Sequence, residues 1–207
     1  MVNLLRKDFI AIKSSIGLCF FYLVVFSAFF IGKDSSFHII AIYTAFASIG
    51  VVTMVDIKNY NHNFLVTLPV SRKQIVKAKY VTAIMITILG IIATYAVHML
   101  VKQALPELNK PDYLVIDILV PVIILLLLIS IYMPLFYSLS KKGAGIINGI
   151  FILILIALAQ PTAMIMQMIN EKGSNIDLMI VLISAASLLL FIASYYLTVY
   201  LFTKKDL

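Results

Sequence analysis

Long apolar stretches alternate with short polar ones along the whole chain. The run Leu119–Ile131, for example, contains no polar residue other than one serine. A helix needs roughly 20 mostly apolar residues to cross a bilayer core about 30 Å thick. The pattern therefore predicts an all-α membrane protein with six transmembrane helices, at about 16–32, 37–55, 80–101, 113–139, 144–168 and 178–202.

The first fifteen residues predict an amphipathic helix that lies on the inner membrane surface. Its apolar residues recur at intervals of three or four, which is the spacing of one helical face. They are Val2, Leu5, Phe9 and Ile12. The alternative is a disordered basic leader. A cleaved signal peptide is not indicated, because Phe29 stands where a cleavage site needs a small residue.

Charge is distributed unevenly between the two sides that six helices would create. With both termini on one side, that side holds residues 1–15, 56–79, 140–143 and 203–207, and these carry twelve of the sixteen Lys and Arg residues. Cytoplasmic loops of membrane proteins carry such an excess. We therefore expect cytoplasmic termini and a cytoplasmic loop at 56–79, and the net charge of +7 needs no nucleic-acid partner.

Chemistry-bearing side chains are scarce within the predicted spans. Only His38, His98 and Asp117 stand out, all near outer ends, and we expect both histidines at the membrane interface. The chain has no Walker A, H-E-x-x-H or G-x-S-x-G motif and only one cysteine, Cys19. The sequence therefore predicts no catalytic residues, metal site or cofactor in this chain.

Small and polar residues mark the predicted fifth span as a helix contact or a substrate path. They are Gly145, Asn148, Gly149 and Gln160. Glycines let helices approach closely in a membrane. Pro121, Pro134 and Pro161 can bend or break helices, and residues 161–170 either end the fifth span or form a separate outer-leaflet segment.

The cytoplasmic loop divides at Pro69. The apolar residues before it, Phe64, Leu65, Val66 and Leu68, need burial against the membrane surface or in a groove of a partner. After it, Ser71 and Gln74 match the S-x-x-Q capping box, so a helix is predicted to start there and run into the third span.

The string FLVTLPVSRKQIVKAKY, residues 64–80, resembles the loop after the second span in type-2 ABC exporter permeases. The six spans and the amphipathic start are similar too. Within that family the chain resembles the exporters of phenol-soluble modulins and related peptide-resistance exporters.

This resemblance implies that two permease chains pair, as a homodimer or heterodimer, and that a separate ATPase subunit supplies ATP and Mg²⁺. The loop would act as a coupling helix, with its apolar residues in the ATPase groove and the Pro69–Ser71 corner behind them. Arg72 and Lys73 would meet an acidic rim or lipid phosphates. The exported substrate would be an amphipathic peptide or another lipophilic molecule.

Two other functions remain open from the sequence. One is a non-transporting immunity or sensor protein that binds a membrane-active peptide, which would work without an ATPase. The other is an intramembrane enzyme, for which the sequence offers no catalytic constellation.

Overall fold

A computed structural model describes residues 16–32, 36–58, 71–108, 115–138, 145–155 and 176–204, together with the single positions Arg6, Ile10, Lys13, Gly143 and Ala157. These residues are helical apart from short turns and connections, and no strand occurs among them. The predicted surface-helix face of Val2, Leu5, Phe9 and Ile12 lies outside the described residues.

Every predicted span contains a helix. The described residues include the α-helices α1 Ile16–Phe30, α2 Ser36–Lys58, α3 Arg72–Ala104, α4 Val115–Ser138, α5 Gly145–Leu155 and α6 Ile176–Lys204, and a short 3₁₀ turn follows α3 at Pro106–Leu108. Four of these helices, α2, α3, α4 and α6, are long and apolar enough to cross a membrane. Helix α1, with 15 residues, rises only about 22 Å.

Helical structure occupies both ends of the segment predicted as a loop at 56–79. Helix α2 continues beyond the predicted end of the second span to Lys58, and α3 starts at Arg72, where the capping box predicted a helix start. Hydropathy locates the apolar part of a helix and capping residues locate its start, so the third span and the helix that contains it begin at different residues.

Helix α2 forms the centre of the bundle. About 72% of the apolar stretch of this helix is buried inside the bundle, compared with 11% of the apolar stretch of α6. Helices α1, α3 and α4 pack around α2, and α6 lies at the edge against α3 and α4. The outward side chains of α6 are large and apolar, including Leu182, Leu189 and Tyr196. Such a surface suits lipid, in keeping with an integral membrane protein.

Helices α2 and α3 cross at a glycine. A Cβ atom built on Gly90 would lie 2.8 Å from the Cβ atom of Ala45 and 3.0 Å from its Cα atom. Small residues at a crossing allow backbones in a membrane to approach closely. This contact is not at the glycines that the sequence singled out.

Helix α4 contains Pro121 and Pro134 without being interrupted. A proline has no N–H, so Pro134 leaves the carbonyl of Ser130 without its usual helical partner. The hydroxyl of Ser194 on α6 donates to that carbonyl at 2.6 Å. A neighbouring helix thus satisfies the freed carbonyl, and α4 is not broken at Pro121 or Pro134.

Candidate functional site

An apolar groove of about 680 Å³ lies between α1, α2 and α5. It opens to the surface, because Leu18, Met54 and Ile152 at its edge are 37% to 56% exposed. None of the described residues that line it is charged. The lining residues are Leu18, Tyr22 and Phe26 of α1, Tyr43, Phe46, Ala47, Gly50, Val51, Met54 and Val55 of α2, and Asn148, Ile152 and Leu155 of α5.

Aromatic rings form one wall of this groove. Tyr43 stacks on Phe26 and on Phe30, with ring centroids 5.1 and 5.6 Å apart. Its hydroxyl donates a 2.6 Å hydrogen bond to the carbonyl of Leu155 on α5. Phe46 stacks on Phe151, which is also on α5, with ring centroids 5.6 Å apart. Rings on α2 therefore hold α1 and α5 on either side of the groove.

One amide side chain lies in the lining. Asn148 is 7% exposed, and its Oδ1 atom accepts a hydrogen bond from the hydroxyl of Tyr132 on α4. The same hydroxyl bonds Thr53 on α2. Burying an amide is costly unless it is hydrogen-bonded, so this network explains how Asn148 is tolerated inside the bundle. It also joins α2, α4 and α5 beside the groove.

The small-residue face predicted on the fifth span does not form a close contact within the described chain. A Cβ atom added at Gly145 or Gly149 would meet nothing within 4 Å. A helix contact through these glycines therefore stays a prediction that no described contact supports. Asn148 lines the groove instead, as a substrate-path residue would, and Gln160 lies outside the described residues.

The predicted capping box at the start of α3 is confirmed. The backbone N–H of Gln74 donates to the Ser71 hydroxyl at 3.3 Å, and the backbone N–H of Ser71 donates to the Gln74 side chain at 3.3 Å. Helix α3 then runs unbroken to Ala104. The start of the helix is thus rigidly continuous with the predicted third span.

The other predicted coupling residues divide between described and undescribed parts of the chain. Phe64, Leu65, Val66, Leu68 and Pro69 lie outside the described residues. Lys73 is exposed, as a residue that meets a partner or a lipid would be. Arg72 is partly buried, and its guanidinium donates to the carbonyls of Phe202 and Thr203 at the end of α6, both at 3.0 Å.

The two histidines are buried among the helices, and their predicted depth near the membrane interface stays a prediction. His38 is 5% exposed and His98 is 2% exposed. The ring of Phe37 contacts both, at centroid distances of 5.7 Å for His38 and 5.6 Å for His98. A hydropathy profile shows depth along a helix but does not show which side packs inward.

Asp117 in the first turn of α4 approaches His38, with 3.6 Å between His38 Nε2 and Asp117 Oδ1. At this distance the two atoms are too far apart for a direct hydrogen bond. Among the described residues no group of three or more His, Cys, Asp or Glu side chains is arranged to hold a metal ion. The approach of these two side chains brings the first turns of α2 and α4 together.

The polar residues that form the buried hydrogen bonds of the bundle were not singled out from the sequence. Tyr132, Thr53, Tyr80, Ser194 and Thr198 all form buried hydrogen bonds between or within helices. Each lies in an apolar run, where a single hydroxyl-bearing residue does not distinguish itself from the rest of a predicted span. Its role appears only when the partner helix, up to 118 residues away in the sequence, is in place.

Comparison with known protein families gives one finding. The model of the ABC-2 family transporter protein family matches residues 3–203, nearly the whole chain. Neither the curated proteins nor the solved structures contain a significant match.

Proposed function

The chain belongs to the ABC-2 family of transporter proteins, which makes it a permease component of an ABC transporter, and we propose that it exports amphipathic peptides or other lipophilic molecules. Its family implies an ABC ATPase as partner in general. We further propose that the ATPase grips the loop before α3, that two permease chains pair, and that both termini are cytoplasmic.

The groove between α1, α2 and α5 is the observation that carries the substrate class. Its described walls are aliphatic and aromatic, with the amide of Asn148 as a polar group and no charged side chain among the described lining residues. An inorganic ion moving through a membrane needs charged or closely spaced polar ligands, which this lining does not provide. A volume of about 680 Å³ suits part of an apolar or amphipathic molecule.

The energy for export comes, in this proposal, from the partner ATPase. Phe64, Leu65, Val66 and Leu68 supply an apolar face for its groove, with ATP and Mg²⁺ bound on the ATPase. The helix that begins at Arg72 continues to Ala104 without a break. A displacement of the loop is therefore transmitted along α3 through the membrane.

Purification of the complex tests the proposed function. We expect an affinity-tagged chain, extracted from its native membrane in mild detergent, to retain a Walker-motif ATPase. The purified complex should hydrolyse ATP faster when an amphipathic helical peptide is added. A chain that binds the peptide but never retains or stimulates an ATPase would instead support the immunity or sensor function.

Filling the groove is expected to impair transport without affecting insertion. Gly50 lines the groove, and a Cβ atom there would meet nothing within 4 Å, so tryptophan can enter the cavity without displacing a helix. We expect Gly50→Trp to lower peptide-stimulated ATPase activity and peptide export into inverted vesicles by about tenfold, a change of roughly 1.4 kcal/mol.

Gly17→Trp is the matched control for this substitution. Gly17 is an exposed helical glycine with nothing within 4 Å of its added Cβ atom, and it does not line the groove. It should keep transport close to that of the unchanged protein. Equal transport by the two variants would show that the groove is not on the substrate path.

A further inference from the structure

Arg72, the first residue of α3, is hydrogen-bonded to the last turn of α6. One guanidinium nitrogen, Nη1, lies 3.0 Å from the carbonyl oxygen of Phe202 and 3.0 Å from that of Thr203. The last carbonyls of a helix lack partners within that helix and form its negative end. A guanidinium group supplies both the missing donors and a positive charge.

A second contact joins the same two helices further into the bundle. Tyr80 lies eight residues after Arg72, which is about 12 Å along a helix. Its hydroxyl lies 2.7 Å from the Ser194 hydroxyl and 2.8 Å from the Thr198 hydroxyl. Because Arg72 pairs with residues near 202 and Tyr80 with residues near 194, the two helices run antiparallel. Two fixing points resist both sliding and rotation.

Helix α6 is in turn fixed to α4. The Ser194 hydroxyl donates to the Ser130 carbonyl, and the Phe202 ring contacts Tyr137 edge to face at a centroid distance of 5.7 Å. The same two residues of α6 contact α3, because Ser194 is hydrogen-bonded to Tyr80 and the Phe202 carbonyl accepts from Arg72. The cytoplasmic halves of α3, α4 and α6 therefore form one packed unit, while α1 and α5 border the groove on the far side of α2.

We propose that Arg72 is a positioning residue for energy coupling, which makes the ends of α3 and α6 move together when the loop is displaced. This inference rests on the proposed function. Displacement of the loop then reaches α6 and, through it, α4, so that three helices rather than one respond to the ATPase. In this role the Arg72 guanidinium faces its own chain instead of the lipid phosphates or acidic rim expected from the sequence.

Replacement of Arg72 tests the proposal against a neighbour of equal charge. In the complex with its ATPase, we expect Arg72→Ala to reduce the number of peptide molecules exported per ATP by about tenfold. Lys77→Ala removes the same charge from an exposed residue of the same helix, to which no coupling contact is assigned, and should leave this ratio unchanged. Arg72→Lys keeps a donor and a charge near the two carbonyls and should recover part of the ratio, which a merely steric role would not explain.

Distance measurements test the same proposal independently of transport. Spin labels at Lys77 on α3 and Leu197 on α6 occupy exposed positions, in a background where Cys19 is replaced by alanine. We expect the label distance to be the same in the nucleotide-free and the vanadate-trapped complex. The distance distribution should broaden in Arg72→Ala. A change of distance between the two states in the unchanged protein would overturn the proposal.

Failure of this inference can be separated from failure of the proposed function. If aspartate at Leu65 and Leu68 abolishes coupling but Arg72→Ala does not alter it, only the role of Arg72 is wrong. If the aspartate variant also retains coupling, the loop is not the site where the ATPase acts and the proposed coupling itself is wrong.

Discussion

A Leu65→Asp/Leu68→Asp double variant is expected to lose the peptide-stimulated part of ATPase activity while inserting into the membrane normally. Both leucines belong to the apolar cluster before Pro69, which is buried in a groove of the ATPase in the proposed function. Placing two carboxylates in such a groove leaves them desolvated without a counter-ion, which costs several kcal/mol. That penalty is large enough to dissociate a typical regulatory contact.

Stimulated hydrolysis by the purified complex, together with the amount of ATPase that co-purifies, measures this effect. Asn61→Asp/Asn63→Asp is the matched control, because it adds the same two charges to polar positions of the same loop. We expect the control to keep most of the stimulation. Full coupling in the leucine variant would place the ATPase contact elsewhere on the chain.

The crossing of α2 and α3 is expected to be the most sensitive packing position of the bundle. A Gly90→Leu substitution would force its side chain against Ala45, whose Cβ, Cα and backbone N atoms lie 2.8, 3.0 and 3.3 Å from the added Cβ. Backbone atoms cannot rotate away, so the helices must separate. Overpacking of this kind costs about 1–3 kcal/mol, and more when helices must move.

Thermal unfolding in detergent, monitored by the fraction of monodisperse protein, measures this prediction. For a chain of this size each kcal/mol corresponds to about 2–4 °C, so we expect a fall in midpoint of roughly 5–10 °C. Gly17→Leu should have little effect, because nothing lies within 4 Å of its added Cβ atom. A Gly90→Ala/Ala45→Gly double variant should be more stable than Gly90→Ala alone, since it returns the space of one methyl group.

Much of the helical architecture was predictable because it depends on local sequence. Apolar length set the approximate positions of all six helices, and the short-range pairing of Ser71 with Gln74 predicted the start of α3. The family match over residues 3–203 agrees with the resemblance seen in the loop. These features require no knowledge of how distant segments meet.

The groove and the close helix contact were not predictable, because they depend on which faces pack together. Glycine at 90 and glycine at 145 look alike in the sequence, yet only Gly90 lies against another helix. Likewise His38 and Asp117 are 79 positions apart, and the sequence offered no reason to pair them. Hydropathy is nearly uniform around these helices, so the periodicity that orients a helix in a soluble protein is missing.

Pro134 on α4 depends on the hydroxyl of Ser194 on α6. A proline at 134 is tolerable in hydrocarbon because Ser194 satisfies the carbonyl of Ser130. During divergence, a lineage that lost the hydroxyl first would bear an unsatisfied carbonyl, whereas one that lost the proline first would not. The order of replacement is therefore constrained, because the proline can be lost first, whereas the hydroxyl is expected to persist for as long as the proline does.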